Sequence, residues 1–101
     1  MTATARERYL DEIRTIVLRH LRGRAAAVYL FGSHAAGTAG RFSDVDVAVD
    51  AEAPIPESVW AALAEALDDS TVPWRVDLVD LGRVDPEFRR RVLREGVRWT
   101  A

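Results

Sequence analysis

Asp44 and Asp46, one residue apart, lie on the strictly alternating stretch Asp44 to Asp50 (DVDVAVD), with Val45, Val47 and Val49 on the opposite face. Aspartate is depleted in strands, and like charges on one strand face repel, so this face calls for a neutralising partner. A divalent cation is one such partner. A rise near 3.3 Å per residue sets the two Cα atoms roughly 6.6 Å apart. Both carboxylates can then lean onto a pair of ions about 3.5 to 4 Å from one another. Asp77 lies between the core-facing residues Val76 and Leu78, so it projects from the other face of its strand and joins the pair if the strands are neighbours. Asp80, three residues on, has the wrong parity.

An Asp-x-Asp pair alone is more often the solvated face of a strand than a metal site. Gly32-Ser33, ten residues before Asp44 and at the end of an apolar run, shifts that balance. Glycine lets the backbone approach a ligand closely, and successive N–H groups beside a serine hydroxyl suit phosphate oxygens. A chance match to this spacing in a chain of this length has a probability on the order of 0.001 at ordinary residue frequencies.

These residues need a scaffold, and the rest of the chain reads as one. Thr4 and Glu7 have capping-box spacing, and Leu10, Ile13, Val17 and Leu21 recur with helical period, predicting a helix from Ala5 to Arg22 that Gly23 stops. Ala25 to Phe31 (AAAVYLF) is short, apolar and closed by turn residues, as a buried strand would be. His34 to Phe42 is rich in Gly and Ala and forms either one short helix or a loop. After the Asp44 to Asp50 strand and a proline-marked connection, Val59, Trp60, Leu63 and Leu67 predict an amphipathic helix from Glu57 to Leu67, closed by Asp68 to Thr71. Trp74 to Leu81 alternates as a further strand. Asp85-Pro86 caps a last helix to Glu95 that ends at Gly96 and buries Phe88, Val92 and Leu93. The order implies an α/β (α+β) arrangement, helices packed on a small mixed sheet, in one domain spanning residues 1–101.

Composition removes several chemistries. All fourteen cations are arginine, so no lysine nucleophile, Schiff base or phosphate-loop lysine operates here. Cysteine is absent, which excludes disulfides, thiolate catalysis and the common structural zinc sites. A net charge of −2 argues against general nucleic-acid binding. The charged first helix and the lack of a long apolar run argue against a signal peptide or membrane span and predict a cytoplasmic protein. His34 either touches phosphate or is an exposed loop residue, and His20 reads as a surface or helix-end residue. Arg89, Arg90 and Arg91, with Arg94 and Arg98, form a solvated helix face or a surface for a partner or RNA. Trp60 and Trp74 fit the core pattern, whereas Trp99, past the last helix, reads as an interface residue.

The segment LFGSHAAGTAGRFSDVDVAV resembles the Gly-Ser turn and Ser-Asp-x-Asp strand of the DNA polymerase β nucleotidyltransferase superfamily. It is most similar to the minimal nucleotidyltransferases (MNT) found as antitoxins beside HEPN toxins. RVDLVDLGRVDPEFRRRVLREGVRW resembles the third-carboxylate strand and closing helix of that family, and the likeness runs from Ala26 to Trp99. It implies a polymerase β-like fold in which Gly32 and Ser33 hold nucleotide phosphates. Asp44, Asp46 and Asp77 would bind two Mg²⁺ ions, with Asp77 activating the acceptor hydroxyl. With no lysine, phosphate charge is left to Mg²⁺, backbone N–H groups, Ser33 and an arginine.

The function so implied is transfer of AMP from MgATP to a tyrosine hydroxyl of a HEPN toxin ribonuclease, which neutralises it. A chain of 101 residues has little room for an acceptor-binding domain, so the acceptor is expected from another polypeptide. Two alternatives stand beside this: an antitoxin that neutralises by binding alone, and a stand-alone transferase acting on a small hydroxyl compound.

Overall fold

The computed structural model describes residues 3–40 and 43–100. Helix α1 spans Ala5–His20 and begins where the Thr4 hydroxyl accepts the Glu7 N–H at 3.1 Å. Ile13, Ile16 and Val17 share the buried stripe. The helix stops two residues before the expected Arg22, in a turn that contains Gly23 at φ +83°. His20 is a helix-end residue whose Nδ1 meets the Ile16 carbonyl at 2.8 Å.

Strand β1 is Ala26–Phe31, followed by the single-turn helix α2, Ser33–Ala36. The stretch His34 to Phe42 thus begins helical, and residues 41 and 42 lie outside the described residues. Strand β2 is Val45–Ala51, helix α3 Glu57–Asp68, strand β3 Val76–Asp80 and helix α4 Pro86–Glu95. At the start of α4 the Asp85 side chain accepts the Phe88 N–H at 2.9 Å, and Pro86 occupies the first turn.

The four strands are ordered β3-β2-β1-β4, β4 being Val97–Arg98. Strand β1 runs antiparallel to both β2 and β4, while β2 and β3 are parallel and joined through α3. One face of the sheet carries Val28, Val45, Val47 and Val49 against Ile13 and Val17 of α1 and Leu63 of α3. The other face carries Tyr29 and Ala48 against Val92 of α4 and Leu81. The mixed sheet with helices on both faces matches the architecture expected from the sequence.

Three expectations change. Strand β3 begins at Val76 rather than Trp74; Trp74 still packs on the same core cluster as Val76 and Leu78, its ring edge-on to Tyr9 with centroids 5.5 Å apart. Trp99 is core, not interface: only 8% of it is exposed, and its N–H reaches the Val28 carbonyl at 2.8 Å, extending the β4 pairing. A two-residue strand has no period to read, so nothing local announced it. Leu93 turns outward at 37% exposure, since the apolar stripe of α4 runs through Phe88 and Val92.

Candidate active site

Strand β2 alternates as read: Val45, Val47 and Val49 are fully buried, while Asp44 is exposed and Asp46 and Asp50 are partly exposed. Ala48 shares the carboxylate face yet is buried, because α4 covers that part of the sheet. The helix therefore leaves the Asp44–Asp46 end of the strand open and closes its middle.

The register gathers the rest. Phe31, the last residue of β1, lies opposite Asp46, so the chain turns at Gly32-Ser33 directly beside that carboxylate. On the other side Asp46 is level with Asp77 in the parallel β2–β3 pair. Asp46 thus stands between the glycine turn and a second carboxylate. Gly32 has φ +74° and ψ −154°, a region essentially reserved for glycine. A Cβ built there would fall on the Asp46 Oδ2 and lie 3.2 Å from its Cγ. Gly32 is thus favoured by its backbone, and a side chain there would also displace the Asp46 carboxylate.

Asp77 also has a cationic neighbour, since Arg75 Nε lies 3.1 Å from its Oδ1. No ion pair among the described residues reaches Asp44 or Asp46. The Asp46 carboxyl is held above the ordinary aspartate range, first by burial, then by repulsion from Asp77 and Asp44, with His34 acting in the opposite sense. Among the described residues, no group of three or more His, Cys, Asp or Glu side chains is drawn together as a metal cage. The oxygen-only donor set suits a hard divalent cation, and the mutual repulsion at Asp46 is the kind of strain such a cation relieves. Asp80 is excluded as its parity required: its carboxylate accepts the Gly82 N–H at 2.9 Å and faces Arg83.

His34 fits neither expectation made for it. It is 4% exposed, its Nε2 lies 3.1 Å from the Ser43 carbonyl, and its ring sits 5.0 Å from that of Trp74. That contact places the proton on Nε2 and leaves Nδ1 buried without a partner. His34 therefore ties the glycine turn to the residue preceding Asp44. From outside, Arg6 of α1 donates to the His34 carbonyl at 2.8 Å.

A cleft of about 660 Å³ opens on this face, lined by Gly32, Ser33 and Asp46 together with Arg91, Val92 and Glu95 of α4. The arginine run divides within one helical turn. Arg89 forms a two-pronged contact with Asp50 at 2.9 and 3.3 Å, whereas Arg91 lines the cleft. The sequence singled out the run but not this division, which depends on the angle at which α4 crosses the sheet.

The model of the polymerase beta nucleotidyltransferase family matches residues 12–99. The chain belongs to that family. Among nucleotidyltransferases of curated standing it is 40% identical over 62 residues to the probable protein adenylyltransferase MntA of Haemophilus influenzae, an alignment covering 61% of this chain and 54% of that one. The chain thus spans about half the length of the curated relative it matches. Among solved structures it resembles a chain of a toxin–antitoxin complex with AMP-PNP, at 31% identity and a TM-score of 0.69, covering 87% of this chain and 73% of the other. It also resembles a minimal nucleotidyltransferase at 33% identity and a TM-score of 0.69, covering 91% and 89% of the two chains. Among the described residues, no helix is long and apolar enough to cross a membrane.

Proposed function

We propose that this nucleotidyltransferase is an antitoxin-type protein adenylyltransferase that moves AMP from MgATP onto a tyrosine hydroxyl of a HEPN toxin ribonuclease and so neutralises it. The observation that carries this reading is the register that sets Asp46 between Asp77 and the Gly32-Ser33 turn. It is supported by family membership and by the likeness to MntA and to a toxin–antitoxin complex holding an ATP analogue.

In this reading Gly32 gives the phosphate chain close access to backbone. The Ser33 hydroxyl, on the wall of the same cleft, donates to a phosphate oxygen. Asp44, Asp46 and Asp77 are the residues that would hold Mg²⁺, and the bound metal would supply charge neutralisation at the reacting phosphate. Asp77 takes the proton from the acceptor hydroxyl. The hydroxyl oxygen bonds to the α-phosphorus, the α–β anhydride bond breaks, and pyrophosphate leaves with the electron pair. No covalent enzyme intermediate is needed. The added nucleotide brings bulk and negative charge to the toxin, the same physical change by which phosphorylation blocks a site.

The pairing of Asp77 with Arg75 favours a second reading, an antitoxin that works by covering its partner without transfer. Intact-mass measurement of the HEPN partner after incubation with this protein and MgATP separates the two. An AMP-sized increment that disappears in the Asp44→Asn, Asp46→Asn double variant supports transfer. An unmodified partner that is nonetheless inhibited, equally by the double variant, supports covering. Turnover of ATP with a small hydroxyl compound and no second polypeptide would point instead to a stand-alone transferase.

A further inference from the structure

The cleft presents two carboxylates, Asp46 and Glu95, to anything that enters it. A polyphosphate bound there meets like charge on both sides, so positive charge must come from somewhere besides the aspartate end. The chain has no lysine. The only ionisable side chain on α2 is His34, which is buried and turned to Ser43 and Trp74, away from any ligand in the cleft. Among the described residues that line the cleft, Arg91 is the one cation.

Its neighbours on α4 show what else an arginine can do here. Arg89 is held by Asp50 and Arg94 lies 3.6 Å from Glu95, but no carboxylate among the described residues pairs with Arg91. Its guanidinium stands 5.4 Å from the centroid of the Phe88 ring, and Phe88 in turn packs edge-on against Phe31, the residue opposite Asp46. An aromatic shelf supports the cation while leaving its N–H groups free to donate, an arrangement suited to a planar fork that binds phosphate oxygens in pairs.

We propose that Arg91 grips the phosphate chain of the nucleotide from the α4 wall of the cleft, so that the site selects nucleoside triphosphate over monophosphate. This rests on the nucleotidyltransferase reading above and assigns the contact to a helix of the closing layer rather than to the glycine turn.

Calorimetric titration of the full chain with MgATP and, separately, with AMP tests it, using Arg91→Met, Arg91→Lys and, as a neighbour outside the cleft, Arg90→Met. Arg91→Met is expected to weaken MgATP binding about 10- to 100-fold, the loss of a charge-assisted contact, and to leave AMP binding within about twofold of wild type. Arg91→Lys should recover part of the loss, and Arg90→Met should bind as wild type. Thermal melts of each variant check that the fold is kept. Equal weakening of MgATP and AMP, no weakening at all, or an Arg90→Met loss as large as that of Arg91→Met would overturn the assignment while leaving the nucleotide reading intact. Failure of the wild-type chain to take up MgATP would instead overturn the nucleotide reading and this contact with it.

Discussion

Gly32 and Asp46 occupy one another's space: the hydrogen on the glycine Cα faces the carboxylate where any other residue would carry a Cβ. Gly37 has nearly the same φ, +75°, but nothing lies within 4 Å of its absent Cβ. Their ψ values differ, −154° at Gly32 against 13° at Gly37, so Gly32 carries both the greater backbone strain and the crowding. Gly37→Ala should lose about 1 kcal/mol in urea denaturation, from the left-handed conformation alone. Gly32→Ala should lose about 2 to 5 kcal/mol, because strain in a region reserved for glycine adds to displacement of the carboxylate, and transferase activity should go with it. Equal losses at the two sites would show that neither the glycine-only backbone at Gly32 nor the Asp46 carboxylate resists the substitution.

Asp46 gives a pH dependence of definite sign. Its folded-state pKa is raised by burial and by its two carboxylate neighbours, so the folded chain holds the proton more tightly than the unfolded chain. The associated stability is complete below the ordinary aspartate range and is lost as pH rises through the raised value. Asp46→Asn should therefore raise the Tm at neutral pH and lose that advantage in acid, while abolishing transfer. A Tm that falls at neutral pH on this substitution would contradict the electrostatic account. Mg²⁺ should raise the wild-type Tm by mass action and leave that of the variant nearly unchanged.

Arg89 and Asp50 connect α4 to the far end of β2, with side chains 38% and 27% exposed. A double-mutant cycle with Arg89→Met and Asp50→Asn should return a coupling of about 1 kcal/mol, the two-pronged geometry offsetting the partial exposure. A coupling indistinguishable from zero would mean that packing alone seats α4.

Trp99 lies beyond the last helix yet closes the core. Trp99→Ala should destabilise the isolated chain by about 3 kcal/mol, as large-to-small changes in a packed interior do. An unchanged urea midpoint would return it to the surface role its position near the chain end suggested.

The elements that were legible in the sequence are those whose signals are local. Capping at Thr4 and Asp85, the alternation of β2 and the apolar run of β1 each lie within a few consecutive residues, and each element formed within about two residues of its expected bounds. The site was legible in part for the same reason. Alternation told which face Asp46 and Asp77 occupy, but only the pairing of distant strands sets them level. Arg91, Glu95 and the burial of His34 were out of reach because they depend on how α4 crosses the sheet and on where the Trp74 ring packs. The short β4, paired to a strand nearly seventy residues earlier, left no local trace.

Strand β3 is an edge of the sheet, and its outer side offers unpaired N–H and C=O groups to any strand that approaches. Sequence around it would otherwise invite such an approach, since Val76, Leu78 and Val79 make a short β-prone run broken only by Asp77. With Arg75 before it and Asp80 after it, Asp77 keeps that edge charged. The carboxylate placed beside Asp46 thus also keeps the edge of the sheet charged: replacing it with an apolar residue should cost solubility as well as the proposed chemistry.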